Sequence, residues 1–304
     1  MARREDDEVR HLTDIPSLSD ADLGEILARA EAIRRGEAPS PFPGSIASIF
    51  YEPSTRTEMS FLKAMDLIGA HPLRMLPERS SVTKGESPEE TVKTLAAVGA
   101  RAVVIRTSEP LLPERLKAIG PGIVNAGDGC HEHPTQALLD AATLIEVKGT
   151  LEGLRVLIVG DHLHSRVSRS SGRLFVRMGA RVRLAGPAEL TPPALAEALG
   201  AGLAEDLEGE LAETDVVMAL RIQKERQAIP LVPDLGEYRR VWGITKERFA
   251  RHPDLLLMHP GPANLGVEVD GEIVDDERSL IRSQVRMGSF IRAAVLGMVG
   301  EASI

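Results

Sequence analysis

Eight short, nearly unbroken apolar runs recur along the chain, and helical patterns separate them. The runs are "IASIFY" (46–51), "PLRML" (72–76), "AVVIR" (102–106), "GIVNA" (122–126), "LRVLIVG" (154–160), "RVRLAG" (181–186), "DVVMAL" (215–220) and "DLLLMH" (254–259). A strand covered on both faces reads as a continuous apolar run rather than an alternating one. Such strands, alternating with helices, belong to parallel sheets. The intervening segments carry helix signals. Phe61, Met65 and Ile68 follow Thr57 at i, i+4, i+7 spacing. In "SPEE" (87–90), Ser87 is placed to cap, Pro88 to open the helix and Glu90 to close a capping box. "TQALLDAATLIEVKG" (135–149) reads as a helix stopped by Gly149, and "SLIRSQVRMGSFIRAAVLGMV" (279–299) as a long amphipathic one.

A chain of 304 residues is long for one core and comfortable for two domains of about 150 residues each. The expected fold is α/β, with two doubly wound parallel-sheet domains joined by helices. The pattern breaks at "KGTLEG" (148–153), which puts the domains at 1–149 and 150–278, with the C-terminal helix (279–304) packing back on the first.

Composition narrows the function classes. The net charge of −9 disfavours wrapping nucleic acid, which calls for a basic face, and 3% aromatic residues disfavour single-strand stacking platforms. No run approaches the roughly 20 apolar residues of a membrane span. The start "MARREDDEVRHL" has no apolar signal-peptide core, and a single cysteine suits a reducing compartment. The expected location is the cytoplasm.

In open parallel sheets, ligands bind beyond the carboxyl ends of the strands. Ser54, Thr55, Arg56 and Thr57 follow the first strand, and Ser80, Ser81 and Lys84 the second. The third ends on Arg106; "GDGCHEHPTQ", with His133 and Gln136, follows the fourth. In the second half "DHLHSR" brings Arg166, "RIQKER" brings Arg221 and Gln223, and "HPGP" occupies 259–262. Nearly every strand delivers a polar, mostly cationic group to one edge, so a small polyanion is the fitting guest. Ser54–Thr57 should open a helix whose N–H groups and dipole favour a phosphate, with hydroxyl donors and a planar guanidinium beside it. Taken alone, the same four residues also fit a plain hydroxyl N-cap next to a solvated arginine. The shared edge is what favours the anion site.

"FYEPSTRT", "SSVTKGES", "NAGDGCHEHPTQALLD", "RIQKER" and "HPGP", in this order from about residue 44 to 298, resemble the aspartate/ornithine carbamoyltransferase family, and within it the catalytic chains specific for aspartate. The resemblance implies transfer of a carbamoyl group from carbamoyl phosphate to the amino group of L-aspartate, in pyrimidine biosynthesis. It implies a carbamoyl-phosphate domain followed by an aspartate domain. It also implies a homotrimer with shared sites, no cofactor and no metal, and a possible dihydroorotase or regulatory chain as partner. Carried over residue by residue, Ser54, Thr55, Arg56, Thr57 and Arg106 would hold the phosphate, joined by Ser80 and Lys84 of the next chain. Arg56, Thr57 and His133 would be catalytic, facing the carbamoyl oxygen. Gln136 and the Pro260–Gly261 backbone would orient the carbamoyl amine. Lys84, Arg166, Arg221 and Gln223 would take the carboxylates of aspartate. The sequence departs from the family where an arginine often follows the "HPGP" asparagine: here Leu265 stands.

Other readings have their own signatures. An ornithine-specific enzyme should offer an acidic side-chain pocket where Arg221 stands. A catalytically silent relative should have lost anion-binding residues, and every one required is present. Cys130, His131, Glu132 and His133 suggest a metal, but their adjacency matches no standard spacing. "LRVLIVGD" leads into "HLHSR" rather than a glycine-rich dinucleotide loop.

Overall fold

The computed structural model describes residues 10–223, 231–232 and 234–301. In chain order the first sheet and its helices are α1 (Asp20–Arg34), β1 (Ser45–Phe50), α2 (Thr55–Leu67), β2 (His71–Met75), α3 (Pro88–Ala97), β3 (Ala100–Thr107), α4 (Leu112–Leu116), β4 (Gly122–Asp128) and α5 (Pro134–Lys148). The second comprises β5 (Arg155–Val159), α6 (Arg166–Arg177), β6 (Arg181–Ala185), α7 (Pro193–Leu199), β7 (Gly202–Leu203), α8 (Leu207–Ala212), β8 (Val216–Ala219), α9 (Leu235–Trp242), α10 (Lys246–Ala250) and β9 (Leu256–Met258), with α11 (Ile281–Glu301) closing the chain. Every one of the eight apolar runs forms a strand, and all named strand pairs are parallel.

The chain divides into two compact units, residues 1–139 with 285–304, and residues 140–284. The division falls inside α5 and inside α11. The first sheet has order β2-β1-β3-β4, the second β7-β6-β5-β8-β9. In the first, the chain runs outward from β1 to β2, then crosses back over β1 to β3. In the second it runs from β5 out to β7 and crosses back to β8. The carboxyl ends of β1/β3 and of β5/β8 are therefore the switch points at which doubly wound sheets open a crevice.

The core of the first unit packs Ala47, Ile49, Val103, Ile105 and Ile123 of the sheet against Val92 of α3 and Leu112 and Leu116 of α4. That of the second packs Leu157, Val159, Val217 and Leu257 against Leu207 and Leu211 of α8 and Phe249 of α10. Each valine, leucine, isoleucine or phenylalanine among them stabilises its unit by about 1.5–3 kcal/mol when fully withdrawn from water. Residues of α11 join the first unit: Val299 lies where a side chain at Gly122 would stand, and Phe42 packs against Gly300. Ser87 accepts the Glu90 N–H at 3.2 Å, as its cap position requires, while the Glu90 carboxylate takes Lys93 at 2.6 Å. No described helix is long and apolar enough to cross a membrane.

Candidate functional site

Strand register assembles the first half of the site. Phe50 of β1 lies opposite Arg106 of β3, and the Tyr51 N–H donates to the Arg106 carbonyl at 2.9 Å. The stretch that opens α2 and the guanidinium that ends β3 thus start from neighbouring positions. Ser54 holds the N-cap place of α2 with an extended backbone (φ −163°), yet its side chain caps no helix N–H. Its hydroxyl instead donates to Thr57 Oγ1 at 2.9 Å. A hydroxyl has one proton and two lone pairs, so Thr57, accepting from Ser54, keeps its own proton for another acceptor. The first N–H groups of α2 receive no oxygen from Ser54 and retain the positive end of the dipole for an anion. Thr57 is 5% exposed, and Arg56 beside it is open to solvent. The Arg106 Nη1 donates to the Ala126 carbonyl at 3.2 Å, and its Nε lies 3.9 Å from a Glu52 oxygen. Behind this turn the Ser60 hydroxyl donates to the Thr57 carbonyl at 3.0 Å. Buried Arg292 of α11 donates to Ser60 and lies over the Phe61 ring, 5.0 Å from its centroid.

The loop from β4 to α5 is organised by Asp128, fully buried. Its Oδ1 accepts from Asn125 Nδ2 at 2.8 Å and from the Glu132 N–H at 3.0 Å. Its Oδ2 accepts the Leu111 N–H at 2.7 Å and lies 3.0 Å from His131 Nδ1. One carboxylate thereby ties the loop after β3 to the loop after β4. Its hydrogen bond to His131 raises the pKa of that imidazole against the opposing effect of burial. Gly129 fits between them because a β-carbon there would lie 2.8 Å from the Ser108 carbonyl oxygen. His133, 4% exposed, immediately precedes α5 and accepts the Gln136 N–H on its carbonyl at 2.9 Å; Gln136 is itself buried.

Ser80 and Lys84 bracket a 3₁₀ turn, Ser81–Lys84, ended by Gly85 in the left-handed region (φ 93°). The Ser80 hydroxyl donates to the Pro77 carbonyl at 2.9 Å and accepts the Val82 N–H at 3.2 Å, while Lys84 is exposed.

In the second unit, Arg166 is the first residue of α6 and is only 6% exposed. Buried Asp161 links the ends of β5 and β8: it accepts from His164 N–H (3.1 Å) and faces His164 Nδ1 (2.9 Å), and its other oxygen accepts the Gln223 N–H (3.4 Å). The Gln223 side-chain amide returns to the His164 carbonyl at 3.2 Å. Arg169 donates to the Leu163 and Ser165 carbonyls at 3.0 and 3.2 Å, which braces the same loop. His162 is fully buried, its Nδ1 2.7 Å from the Ser168 hydroxyl and its Nε2 2.9 Å from the Ala185 carbonyl; burial lowers its pKa to about 4. Arg221 is half-buried directly after Leu220. The remaining residues of "RIQKER", Lys224 to Arg226, lie outside the described residues.

Pro260 and Gly261 follow β9, which neighbours β8. Leu265, at the position of the departure noted above, is 61% exposed. Ser54–Thr57 thus stand at the opening of α2, Arg106 near the end of β3, Arg166 at the opening of α6 and Arg221 just after β8, while Ser80 and Lys84 sit on a separate 3₁₀ turn beyond β2. The carboxylates that shape the loops, Asp128 and Asp161, were not among the expected site residues. Their signal is an aspartate at the very end of an apolar strand, in "NAGD" and "LIVGD".

Residues 10–146 match the description "Aspartate/ornithine carbamoyltransferase, carbamoyl-P binding domain", and residues 152–299 match "Aspartate/ornithine carbamoyltransferase, Asp/Orn binding domain". The aspartate carbamoyltransferase catalytic subunit of Pelotomaculum thermopropionicum is 47% identical over 270 residues, 88% of this chain and 87% of that one. That of Sorangium cellulosum is 44% identical over 94% of this chain and 92% of its own. Among solved structures, aspartate transcarbamoylase from Trypanosoma cruzi in complex with carbamoyl phosphate and aspartate superposes with a TM-score of 0.87 at 28% identity, covering 95% of this chain and 96% of that one. The catalytic subunit of M. jannaschii aspartate transcarbamoylase gives 0.82 at 30%, covering 96% and 98%. Two doubly wound parallel sheets, both domain matches and relatives aligned over nearly the full length agree: the chain belongs to the aspartate/ornithine carbamoyltransferase family.

Proposed function

We infer that the chain is an aspartate carbamoyltransferase, forming N-carbamoyl-L-aspartate and phosphate from carbamoyl phosphate and L-aspartate, the reaction that serves pyrimidine biosynthesis. The observation that carries the reading is the opening of α2, where the N-cap hydroxyl turns to Thr57 and leaves the helix N–H groups to an anion. Residues 1–149 are assigned to carbamoyl phosphate and 150–278 to aspartate, with 279–304 grouped with the first. Ser54, Thr55, Arg56, Thr57 and Arg106 take the phosphate, with Ser80 and Lys84 contributed by a neighbouring copy in a cytoplasmic homotrimer. The relatives are catalytic subunits by name, which supports an assembled form. Gln136 and the Pro260–Gly261 backbone orient the carbamoyl amine. Arg166, Arg221, Gln223 and Lys84 take the aspartate carboxylates.

The chemistry follows from these groups. The neutral amino group of aspartate attacks the carbamoyl carbon; a C–N bond forms and the carbonyl oxygen gains negative charge. Arg56, Thr57 and His133 donate to that oxygen, each such donor contributing about 3–4 kcal/mol in the transition state. The C–O bond to phosphate then breaks, and the departing phosphate takes the proton from nitrogen, so no protein nucleophile is needed. Holding two anions together in reactive orientation is the larger task, and orientation effects reach about 7–11 kcal/mol. The test is binding of N-(phosphonacetyl)-L-aspartate, the ligand of one T. cruzi neighbour. This account expects tight binding that Arg56→Ala and Arg166→Ala each weaken. Unchanged binding in both variants would remove the assignment.

A further inference from the structure

Among the described residues, Leu111 alone combines a side chain with a left-handed backbone (φ 63°). A leucine there is uncommon because its β-carbon crowds the chain, and such a residue persists where its surroundings fix it. Its side chain is 51% exposed, so packing does little of this. The hold comes through its N–H, which donates to Oδ2 of the fully buried Asp128 at 2.7 Å. The other oxygen of Asp128 acts on the residue before His133. Oδ1 accepts the Glu132 N–H at 3.0 Å, and the Asp128 N–H donates to the Glu132 carbonyl at 3.1 Å. Both peptide planes that flank Glu132 are thereby fixed. His133 has little freedom of its own, because Pro134 follows it and disfavours all but an extended backbone. Where His133 stands is therefore decided upstream, at Asp128. Asn125 Nδ2 (2.8 Å) and His131 Nδ1 (3.0 Å) complete the surroundings of the carboxylate, one on each oxygen. Every residue of this arrangement belongs to the unit formed by residues 1–139 with 285–304.

We propose that Asp128 is a positioning residue for carbamoyl transfer: with its carboxylate oriented by His131, it anchors the Glu132 peptide to the strained Leu111 turn and so sets the backbone from which His133 donates to the carbamoyl oxygen. This rests on the role given to His133 under the proposed function. Asp128 itself touches no substrate. Its effect on the reaction passes through His133, and that dependence separates positioning from general support of the fold.

All four partners of the carboxylate approach with a nitrogen, and three of them can only donate. Asparagine has almost the same size, but its NH2 end meets a donor whichever way the amide turns. The experiment measures kcat and the KM for carbamoyl phosphate in the full-length wild type, Asp128→Asn, His133→Ala and the double variant. Radiolabelled carbamoyl phosphate keeps the slow variants measurable. His133→Ala should lower kcat by about 100-fold. Asp128→Asn should lower it by about tenfold or more, with KM within about twofold, because the misplaced donor acts on charge that develops in the transition state. In the His133→Ala background the same substitution should change kcat by less than about twofold, since nothing is left to position. An equal loss in both backgrounds, or an undiminished kcat in Asp128→Asn, overturns the proposal. If Asp128→Asn does not fold, thermal melts reveal it, and the cycle is run with His131→Gln, which should lose about threefold in kcat only where His133 is present; any other pattern overturns the proposal. A folded wild type that forms no carbamoyl-aspartate overturns the proposed function, full activity in His133→Ala overturns the role of His133, and either takes this inference with it.

Discussion

His162 supplies a pH dependence that can be worked out from its surroundings. The ring is fully buried between the Ser168 hydroxyl and the Ala185 carbonyl, and burial lowers its pKa from 6.5 to about 4. In the unfolded chain it returns to about 6.5. The unfolded state therefore binds the proton first as the pH falls, and stability is lost between about pH 6.5 and 4. With 1.36 kcal/mol per unit, the contribution lost is about 2 kcal/mol by pH 5 and about 3 kcal/mol by pH 4. Above about pH 6.5 the group adds no slope. The perturbation is His162→Gln, which removes the titration; the assay is urea unfolding of wild type and variant at matched pH values from about 7.5 to 4.5. The difference in unfolding free energy should be flat above pH 6.5. Below it, the wild type should lose stability relative to the variant by the amounts given. Parallel curves over the whole range would refute the reasoning, because they would mean that the imidazole protonates in the folded protein as easily as in the unfolded one. His162 braces the loop that leads into Arg166, so protonation of the folded protein, which sets in only near pH 4, should raise the KM for aspartate.

His131 should behave with the opposite sign. Its folded pKa is raised by Asp128, so its stabilising contribution is complete below about pH 6.5 and fades as the pH climbs through the raised value; His131→Gln should erase that alkaline loss in the same unfolding series. Arg56→Ala should lower turnover by about 100-fold or more with an unchanged circular dichroism spectrum, and near-normal activity would count against the phosphate site. Mixing Lys84→Ala with His133→Ala subunits should restore activity if sites are shared between copies; no recovery after demonstrated subunit exchange would argue for self-contained sites. Gly160→Ala places a β-carbon 2.7 Å from the Leu220 carbonyl oxygen at φ 138°, and should cost about 2 kcal/mol or more, measured by denaturant midpoint.

The sheets were legible because parallel strands covered on both faces leave apolar runs that turn chemistry does not disguise. What the runs lack, the sequence reading lacks too. Helix α1 has a true signal, with Ser19 accepting the Asp22 N–H and Leu23, Ile26, Ala30 and Ile33 buried, yet Gly24 and six charged side chains blur it, and the reading places no element before residue 46. Strand β7 is two exposed residues, Gly202 and Leu203, with nothing apolar to mark it. Helices α7 to α10 span only five to eight residues each, too short for periodicity to speak. The placement of the candidate cations was readable because each follows a strand, and strand ends share an edge in a parallel sheet. The carboxylates were not, because the work of Asp128 and Asp161 depends on which loops register brings side by side. His259 is a further case: its Nδ1 accepts the Gly261 N–H at 2.8 Å, a contact inside the loop that "HPGP" does not announce.

The central claim is that the second half of the chain recognises a dicarboxylate amine, through Arg166 and Arg221. The direct measurement incubates the purified chain with carbamoyl phosphate and either L-aspartate or L-ornithine, and assays carbamoyl-aspartate and citrulline side by side. The account predicts carbamoyl-aspartate and no citrulline. Citrulline without carbamoyl-aspartate would preserve the phosphate half and contradict the roles of Arg166 and Arg221, and no product from either amine, with a folded protein in hand, would contradict the activity itself.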